Sequence, residues 1–466
     1  MNIDVLVAEI GSTTTLVNAF DNIGNVNPVF LGQGAAPTSI IEGDVRIGLN
    51  SAIKNLKVKL PGHPKKITWN SFFATSSAAG GLRMTIHGLV YDMTVKAAKE
   101  AVLGAGANIH QITSGLMRQS DIDKMISIKP NIIMIAGGVD YGERDTALIN
   151  TEAIFKALDL ASFTIPVLYA GNIENQDEIK NIFKNYKGKL VISSNVYPRI
   201  DDLQIASARK IIQEVFEKNI IHAPGMEHIR DLVDGPIVPT PGGVMLAAEI
   251  LKESIGDLIV LDVGGATTDI HSVSNGSEEI SRILISPEPH AKRTVEGDLG
   301  IYINKNNVLE ILLQKQNYFG EENENIKSGL IKSVENLGPV PKTDSEKEIA
   351  HELTFTAAVT ALERHAGSFR DLYGPHGKTK IAEGRDLTAV GYCIGTGGAL
   401  TRLENGIEIM QKIITKSPGN KLYPGERTKL LLDKDYIMAS LGVLSKQYPN
   451  SALKLLKQSL GFGEIQ

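Results

Sequence analysis

A chain of 466 residues, 42% hydrophobic and 22% charged, can build a real core under a solvated surface, and its length points to two domains rather than one. A formal net charge of −5 argues against nucleic acid or an anionic membrane as partner, and the lysines between Lys54 and Lys66 read as a solvated face. The one cysteine, Cys393, excludes a disulfide framework, a cysteine-based zinc site and an iron–sulfur cluster within one chain. The apolar run Val5–Ile10 is only strand length and carries Glu9, so it does not read as a signal peptide, and no apolar stretch approaches bilayer-spanning length. The expectation is a soluble protein of a reducing cytoplasm.

The first predicted element is a hairpin. Residues 4–20 run apolar strand, Glu9, Gly11-Ser12-Thr13-Thr14-Thr15, then a second β-prone run. A loop at Pro37–Asp44 leads to a helix ending near Leu56, and Ile67–Thr75 reads as a strand. The small residues of Ser76–Met84 suit either a tight turn or room for a ligand. Thr94–Ala105 has helix composition, with Thr94 placed to cap it. Asn131–Ala136 is a buried strand ending at Gly137-Gly138-Val139-Asp140, and ligands collect at such strand ends in open α/β sheets. Helix (145–158), strand (Val167–Ala170), helix (175–185) and strand (Leu190–Ile192) then alternate, which implies a mostly parallel core. After a helix at 206–218, the turn-rich Gly235–Gly243 precedes a helix from Val244 to Glu253 that runs straight into a second hairpin. The expected domains are therefore residues 1–250 and 251–466.

The second hairpin is Leu258–Leu261 followed by Asp262-Val263-Gly264-Gly265-Ala266-Thr267-Thr268-Asp269. It aligns with the first without a gap: Glu9 with Asp262, Gly11 with Gly264, Ser12 with Gly265, and Thr14-Thr15 with Thr267-Thr268. Backbone without side chains can approach phosphate oxygens, threonine hydroxyls add donors, and a carboxylate at a strand end can hold a Mg²⁺ water. One such loop is also an ordinary β-turn; two in the same order point to two similarly built halves. Because each leads to a strand rather than a helix, and no Gly-Lys-Ser/Thr follows, neither is a P-loop.

Dense charge in Ser286–Gly300 suits either a switch or partner-contact loop or a solvated connection, and His290 is given no role. Residues 320–348 read as exposed helices and a loop, and Thr354–His365 as a helix with Ala358, Ala361 and Leu362 on one face. Val390–Leu400 is a strand, a Gly395-Thr396-Gly397-Gly398 turn and a helix start, suited to a ring, ribose or phosphate, with Cys393 as a buried small hydrophobe. Tyr436–Ser445 reads as a final helix.

Two phosphate hairpins and a late Gly-Thr-Gly-Gly loop resemble the actin, Hsp70 and sugar-kinase superfamily. More narrowly, the chain is similar to the GlmL/MutL family of glutamate mutase accessory proteins. The matching stretches run through nearly the whole chain: Ser76–Met84, Ala136-Gly137-Gly138, Tyr169–Asn172, Pro239–Gly242, Gly264–Asp269, Pro287-Glu288-Pro289, Ala291–Gly300, Glu363–Gly367 and Ile394–Gly398. The resemblance implies an α/β protein of two ribonuclease-H-like (actin-like ATPase) domains closing on ATP and Mg²⁺. It implies an ATP-dependent reactivating factor that exchanges damaged cobalamin out of an adenosylcobalamin-dependent mutase, with a homo-oligomer left open.

By that resemblance Gly11, Ser12, Thr13, Thr14, Gly264, Gly265, Thr267 and Thr268 hold phosphates, and Gly395, Thr396, Gly397 and Gly398 receive the adenosine. Glu9 and Asp262 place Mg²⁺ through water, and Asp140 is a second-rank candidate for orienting the attacking water. The superfamily usually has Asp where this chain has Glu9. The extra methylene either shifts the metal water, slowing turnover or moving the metal toward Asp262, or is a simple substitution. The alternatives are a small-molecule kinase using Asp140 as base, and a hydantoinase-type amidohydrolase. The iron–sulfur activators of acyl-CoA dehydratases share the fold, but one cysteine argues against that reading.

Overall fold

Apolar residues at consecutive positions leave a strand no polar face, so such strands must be covered on both sides. The computed structural model obeys this, and describes the chain except residues 40–42, 78–81, 221–225, 316–323, 375–376, 417 and 463–466. The centre of the small-residue stretch, Ala78–Gly81, thus lies outside the described residues, as do Ile40-Ile41-Glu42 and part of 320–348. The protein is α/β, and it divides into two compact units: residues 1–38, 48–75 and 243–466 form one, and residues 39–47 and 76–242 the other. Both hairpins fall in the first unit, so these units do not coincide with a boundary near residue 250.

In the first unit, Thr68–Ser76, Asn2–Ile10, Thr14–Asp21 and Val29–Pro37 lie side by side in one sheet. A second sheet is ordered Ala291–Glu296, Thr268–Val273, Leu258–Val263, Tyr392–Thr396, Lys429–Leu432. Its first three strands are antiparallel and its last three parallel. The helix Asp344–His365 covers one face, setting Leu353, Ala357, Ala358, Ala361 and Leu362 in a core with Ile259, Leu261, Val263 and Ile270. It starts ten residues before the expected Thr354 because Thr343 and Glu346 form a reciprocal cap: the Thr343 hydroxyl accepts from the Glu346 N–H, and the Glu346 carboxylate accepts from the Thr343 N–H. Cys393 is fully buried in the same core, and burial pushes its thiol far above the ordinary range.

The charged stretch after Ser286 differs from a plain loop. Ala291–Glu296 is a strand paired with Thr268–Val273.

The second unit is a five-stranded parallel sheet ordered Asn108–Ser114, Arg83–Gly88, Ile132–Ala136, Val167–Tyr169, Leu190–Ile192. In sequence order this is 2-1-3-4-5, a doubly wound α/β topology. Helices Asp145–Leu160 and Gln176–Ile182 follow the expected alternation. Thr94 does not cap Lys96–Gly104; a π-helical turn, Tyr91–Val95, precedes that helix, and the Thr94 hydroxyl accepts from the N–H groups of Leu89 and Val90.

The helix expected to be the final one is Met438–Leu444, and a further helix, Pro449–Ser459, follows it, with proline in its first turn. Within the first unit, helices Thr240–Ile255 and Met438–Leu444 meet through Gly243 and Gly442 with their backbones nearly touching. A methyl on Gly442 would run into the Gly243 carbonyl, and one on Gly243 would stand 2.7 Å from the Ala439 oxygen. Gly329 lies in the helix Glu324–Asn336 with open space around it. Gly442→Ala should therefore destabilise the protein by roughly 1–3 kcal/mol, and Gly329→Ala should stabilise it by about 0.5–1 kcal/mol. Denaturant unfolding of the two variants against the parent checks the opposite signs.

Candidate functional site

The two hairpins share one backbone geometry. Strand pairing ends at Ile10↔Thr15 in the first and at Val263↔Thr268 in the second. Each four-residue connection is closed by the same hydrogen bond: Gly11 N–H donates to Thr14 O at 3.0 Å, and Gly264 N–H to Thr267 O at 2.9 Å. A Cβ at Gly11 would sit 2.6 Å from the Thr14 oxygen, so the turn requires glycine there. Ser12 and Thr14 are exposed, whereas Thr15 is buried and hydrogen-bonds the Thr38 hydroxyl at 2.8 Å. In the second hairpin Gly264, Gly265 and Thr267 are partly exposed, but Thr268 is fully buried and donates to Leu299 O at 2.7 Å. Thr268 thus anchors the hairpin from behind. Gly265 O accepts from the N–H groups of Tyr302 and Ile303, and Gly300 packs against Ala266.

Acidic side chains gather below the turns. Glu9 is 5% exposed, and its Oε1 accepts from Ser440 Oγ at 2.6 Å, Ser440 N–H at 3.2 Å and Asn18 Nδ2 at 3.4 Å. Burial pushes the Glu9 carboxyl up to about 7 against the opposing pull of Ser440, with Asp433 adding repulsion. Asp262 is pushed up to about 8, first by burial and then by the negative charges of Asp269, Glu9 and Asp433, with Arg293 opposing. Asp269 is ion-paired with the buried Arg293, Nη2 to Oδ1 at 2.6 Å, and also accepts from the Thr267 hydroxyl at 3.0 Å. Asp433 is buried and accepts from Thr396 Oγ1 at 3.0 Å, Ser459 Oγ at 2.7 Å and the N–H groups of Ile437 and Met438; burial raises its carboxyl too.

The third predicted loop reaches this cluster through one residue. Gly397, at φ +83°, lies so close to Asp262 and Val263 that a Cβ would stand 2.6 Å from Asp262 Oδ1. Gly398 has open space around it, whereas Gly395 is packed inside against Met410 and Leu432, and Thr396 is spent on Asp433. Asp140 belongs to the second unit, where its Oδ1 accepts from the Ile173 N–H and Asn195 Nδ2, each at 2.9 Å. The residues that sequence reading did not single out are Asn18, Asp269, Arg293, Asp433 and Ser440. Asp269 was at least written into the repeated motif; Ser440 and Glu9 are 431 positions apart, and no local pattern joins them.

Among the described residues, no group of three or more histidine, cysteine, aspartate or glutamate side chains is arranged to hold a metal directly. Repelling, partly dehydrated carboxylates at the ends of two hairpins nevertheless fit a hydrated divalent cation, which would relieve the repulsion through its water ligands.

The raised carboxyls have a consequence for stability. A proton bound more tightly in the folded state stabilises it below the unfolded carboxylate range, and that stabilisation is lost as pH rises through about 7 for Glu9 and about 8 for Asp262. Stability of the ligand-free protein should fall between pH 5 and pH 8.5. Asp262→Asn should flatten that slope, leaving the variant roughly 1–3 kcal/mol more stable than the parent at pH 8.5 and similar at pH 5. Unfolding midpoints across this pH range check it; parallel curves for both proteins would refute it.

The family model described as MutL protein matches residues 5–460. Protein MutL of Clostridium tetanomorphum is 32% identical over 466 residues, covering 98% of each chain. Among solved structures, similarity extends to a glycerol dehydratase reactivase (10% identity, 95% of this chain and 99% of that one, TM-score 0.34). It extends also to the activator of 2-hydroxyisocaproyl-CoA dehydratase from Clostridium difficile with bound ADPNP (9% identity, 99% and 98%, TM-score 0.31). With the family model spanning nearly the whole chain and a relative that matches end to end, the chain belongs to the MutL family.

Proposed function

We propose that this protein binds ATP with Mg²⁺ between its two hairpin-bearing sheets and uses it to reactivate an adenosylcobalamin-dependent amino-acid mutase, promoting exchange of damaged cobalamin. The observation that carries the nucleotide reading is the repeated turn. Two Gly-x-x-Thr connections closed by the same hydrogen bond, each following an acid at a strand end, frame a carboxylate cluster that Gly397 approaches. Membership of the MutL family, with its resemblance to mutase accessory proteins, supports the reactivation reading. Phosphates would lie against Gly11–Thr14 and Gly264–Thr267, the adenosine near Gly397-Gly398, and a hydrated Mg²⁺ near Asp262.

The geometry separates the two acids. Glu9 is held by Ser440 and Asn18 and so joins the first sheet to the helix Met438–Leu444. Asp262 is the more exposed of the two and sits beside Gly397. Asp262 is therefore the better water-mediated metal anchor, and Glu9 the better sensor of what happens there. The kinase alternative asks Asp140 to act as a base, whereas Asp140 Oδ1 already takes two hydrogen bonds that tie loops together.

The deciding experiment inactivates purified mutases by turnover and adds this protein with Mg-ATP and fresh adenosylcobalamin. Restored activity that depends on both protein and ATP is expected; phosphorylation of a metabolite without mutase would overturn the reading. In parallel, Asp262→Ala should weaken Mg-ATP binding or slow turnover by at least tenfold, and by more than Glu9→Ala. Titration of a fluorescent ATP analogue with and without Mg²⁺ ranks the two, and the reverse order would move the metal to Glu9.

A further inference from the structure

In the second unit each of the five parallel strands is followed by a loop, at residues 89–95, 115–118, 137–144, 170–175 and 193–205. Every one of these loops exposes a large apolar side chain: Val90 and Tyr91, Leu116, Tyr141, Ile173, and Ile200. Among the described residues of this unit, six of the ten exposed large hydrophobics thus sit at one edge of one sheet. Tyr141 is 79% and Ile200 70% exposed, an expensive arrangement for a surface that contacts only water. Single exposed hydrophobics need no explanation; one at the carboxyl end of every strand does.

The loops are also tied to one another. Asp140 N–H donates to Pro198 O at 2.9 Å, its carboxylate accepts from Ile173 N–H and Asn195, and Tyr141 N–H donates to Asn172 Oδ1 at 3.1 Å. Those bonds hold Tyr141, Ile173 and Ile200 as one group and keep Tyr141 in a left-handed conformation, φ +63°, that tyrosine adopts at a cost. Gly115 N–H to Gly88 O, at 2.9 Å, and Ser114 Oγ to Leu89 O, at 3.2 Å, do the same for the loops of Tyr91 and Leu116.

Five strand ends about 4.8 Å apart spread these side chains over on the order of 20 Å, the scale of a protein interface rather than of a small ligand. Within the five loops acidic residues outnumber basic ones by six to three. Of the three basic residues, Arg144 is already drawn to Glu178 and Glu174.

We propose that this apolar, acid-rimmed edge is the docking surface for the client enzyme, and that it fits a client face with an apolar centre and a lysine- or arginine-rich rim. Asp140 is a positioning residue of that surface. This assignment rests on the reading of the chain as a mutase reactivator, and names where the client binds.

The test uses the full-length protein and a purified adenosylcobalamin-dependent mutase that the parent protein reactivates. Tyr141→Ser/Ile200→Ser and, separately, Leu116→Ser remove exposed side chains, so folding should be unaffected; Leu160→Ser, 87% exposed but outside these loops, is the control. Expected are at least tenfold weaker mutase binding by interferometry and a matching loss of reactivation, with fluorescent-nucleotide affinity within twofold of the parent and Leu160→Ser unchanged. Parent affinity should also fall at least fivefold between about 50 and 300 mM KCl. Edge variants that bind and reactivate normally would overturn the docking assignment and leave the function standing. A parent that neither binds nor reactivates any such mutase would overturn the function, and the assignment with it. Edge variants that turn an oligomer into a monomer in sedimentation, with mutase binding kept, would mark the surface as a self-contact and overturn it too.

Discussion

Negative charge that cannot easily be hydrated is the constraint around which the first unit is built. Asp269, Glu9 and Asp433 lie close enough to raise the proton affinity of Asp262, Asp433 does the same to Glu9, and all four but Asp262 are less than a tenth exposed. Such a cluster survives folding only if each member is held by donors or a countercharge. Asp269 has Arg293, Asp433 has the start of the helix Met438–Leu444 together with Thr396 and Ser459, and Glu9 has Ser440 and Asn18. Asp262, the proposed anchor of a hydrated cation, carries the highest raised carboxyl of those with a definite value.

The stretches by which the chain resembles its family gain a physical role from this arrangement. Arg364 makes a two-pronged contact with Asp298 and reaches Glu296, fixing the strand that carries Arg293. His365 hydrogen-bonds Ser272 and Thr294 from the rear of the same strands, and its ring is held neutral by burial. Arg385, buried, donates to Ser272 and to the carbonyls of Pro289, His290 and Ser274, so the Pro-Glu-Pro segment serves to hold the strand behind the second hairpin. These residues shape the acid cluster without belonging to it.

Local backbone pattern was readable in the sequence; register was not. The hairpins were legible because a glycine turn between β-prone runs is decided within about ten residues. The parallel sheet of the second unit was legible because Ile132–Ala136 has no polar face to leave exposed. The pairing of Arg293 with Asp269 depends on how Ala291–Glu296 lines up against Thr268–Val273, and a charged stretch between turn residues reads equally well as a loop. The start of helix Thr240–Ile255 was hidden for a different reason. Pro241-Gly242-Gly243 looks like a turn, yet proline suits a first helical turn, and glycine at 243 is what the approach of Ala439 demands. Gly395 and Thr396 looked open beside Gly397 and Gly398 because spacing alone cannot say which residues of a strand end face the core.

One chain of hydrogen bonds connects these features. Arg402, just past the Gly397 loop, donates to Gln33; Gln33 donates to Asn18 at 2.9 Å and to the Tyr436 carbonyl at 3.1 Å; Asn18 donates to both Glu9 and Ser440. Residues from the first sheet, the segment after the glycine loop and the helix Met438–Leu444 therefore share one polar network with Glu9, whose carboxyl burial pushes up to about 7. In such a network the position of one proton sets the strength of several bonds at once, because each partner must re-satisfy its donors when one changes. An ionised Glu9 binds the Ser440 hydroxyl more tightly than a protonated one, and Ser440 lies on the helix that packs, glycine on glycine, against Thr240–Ile255.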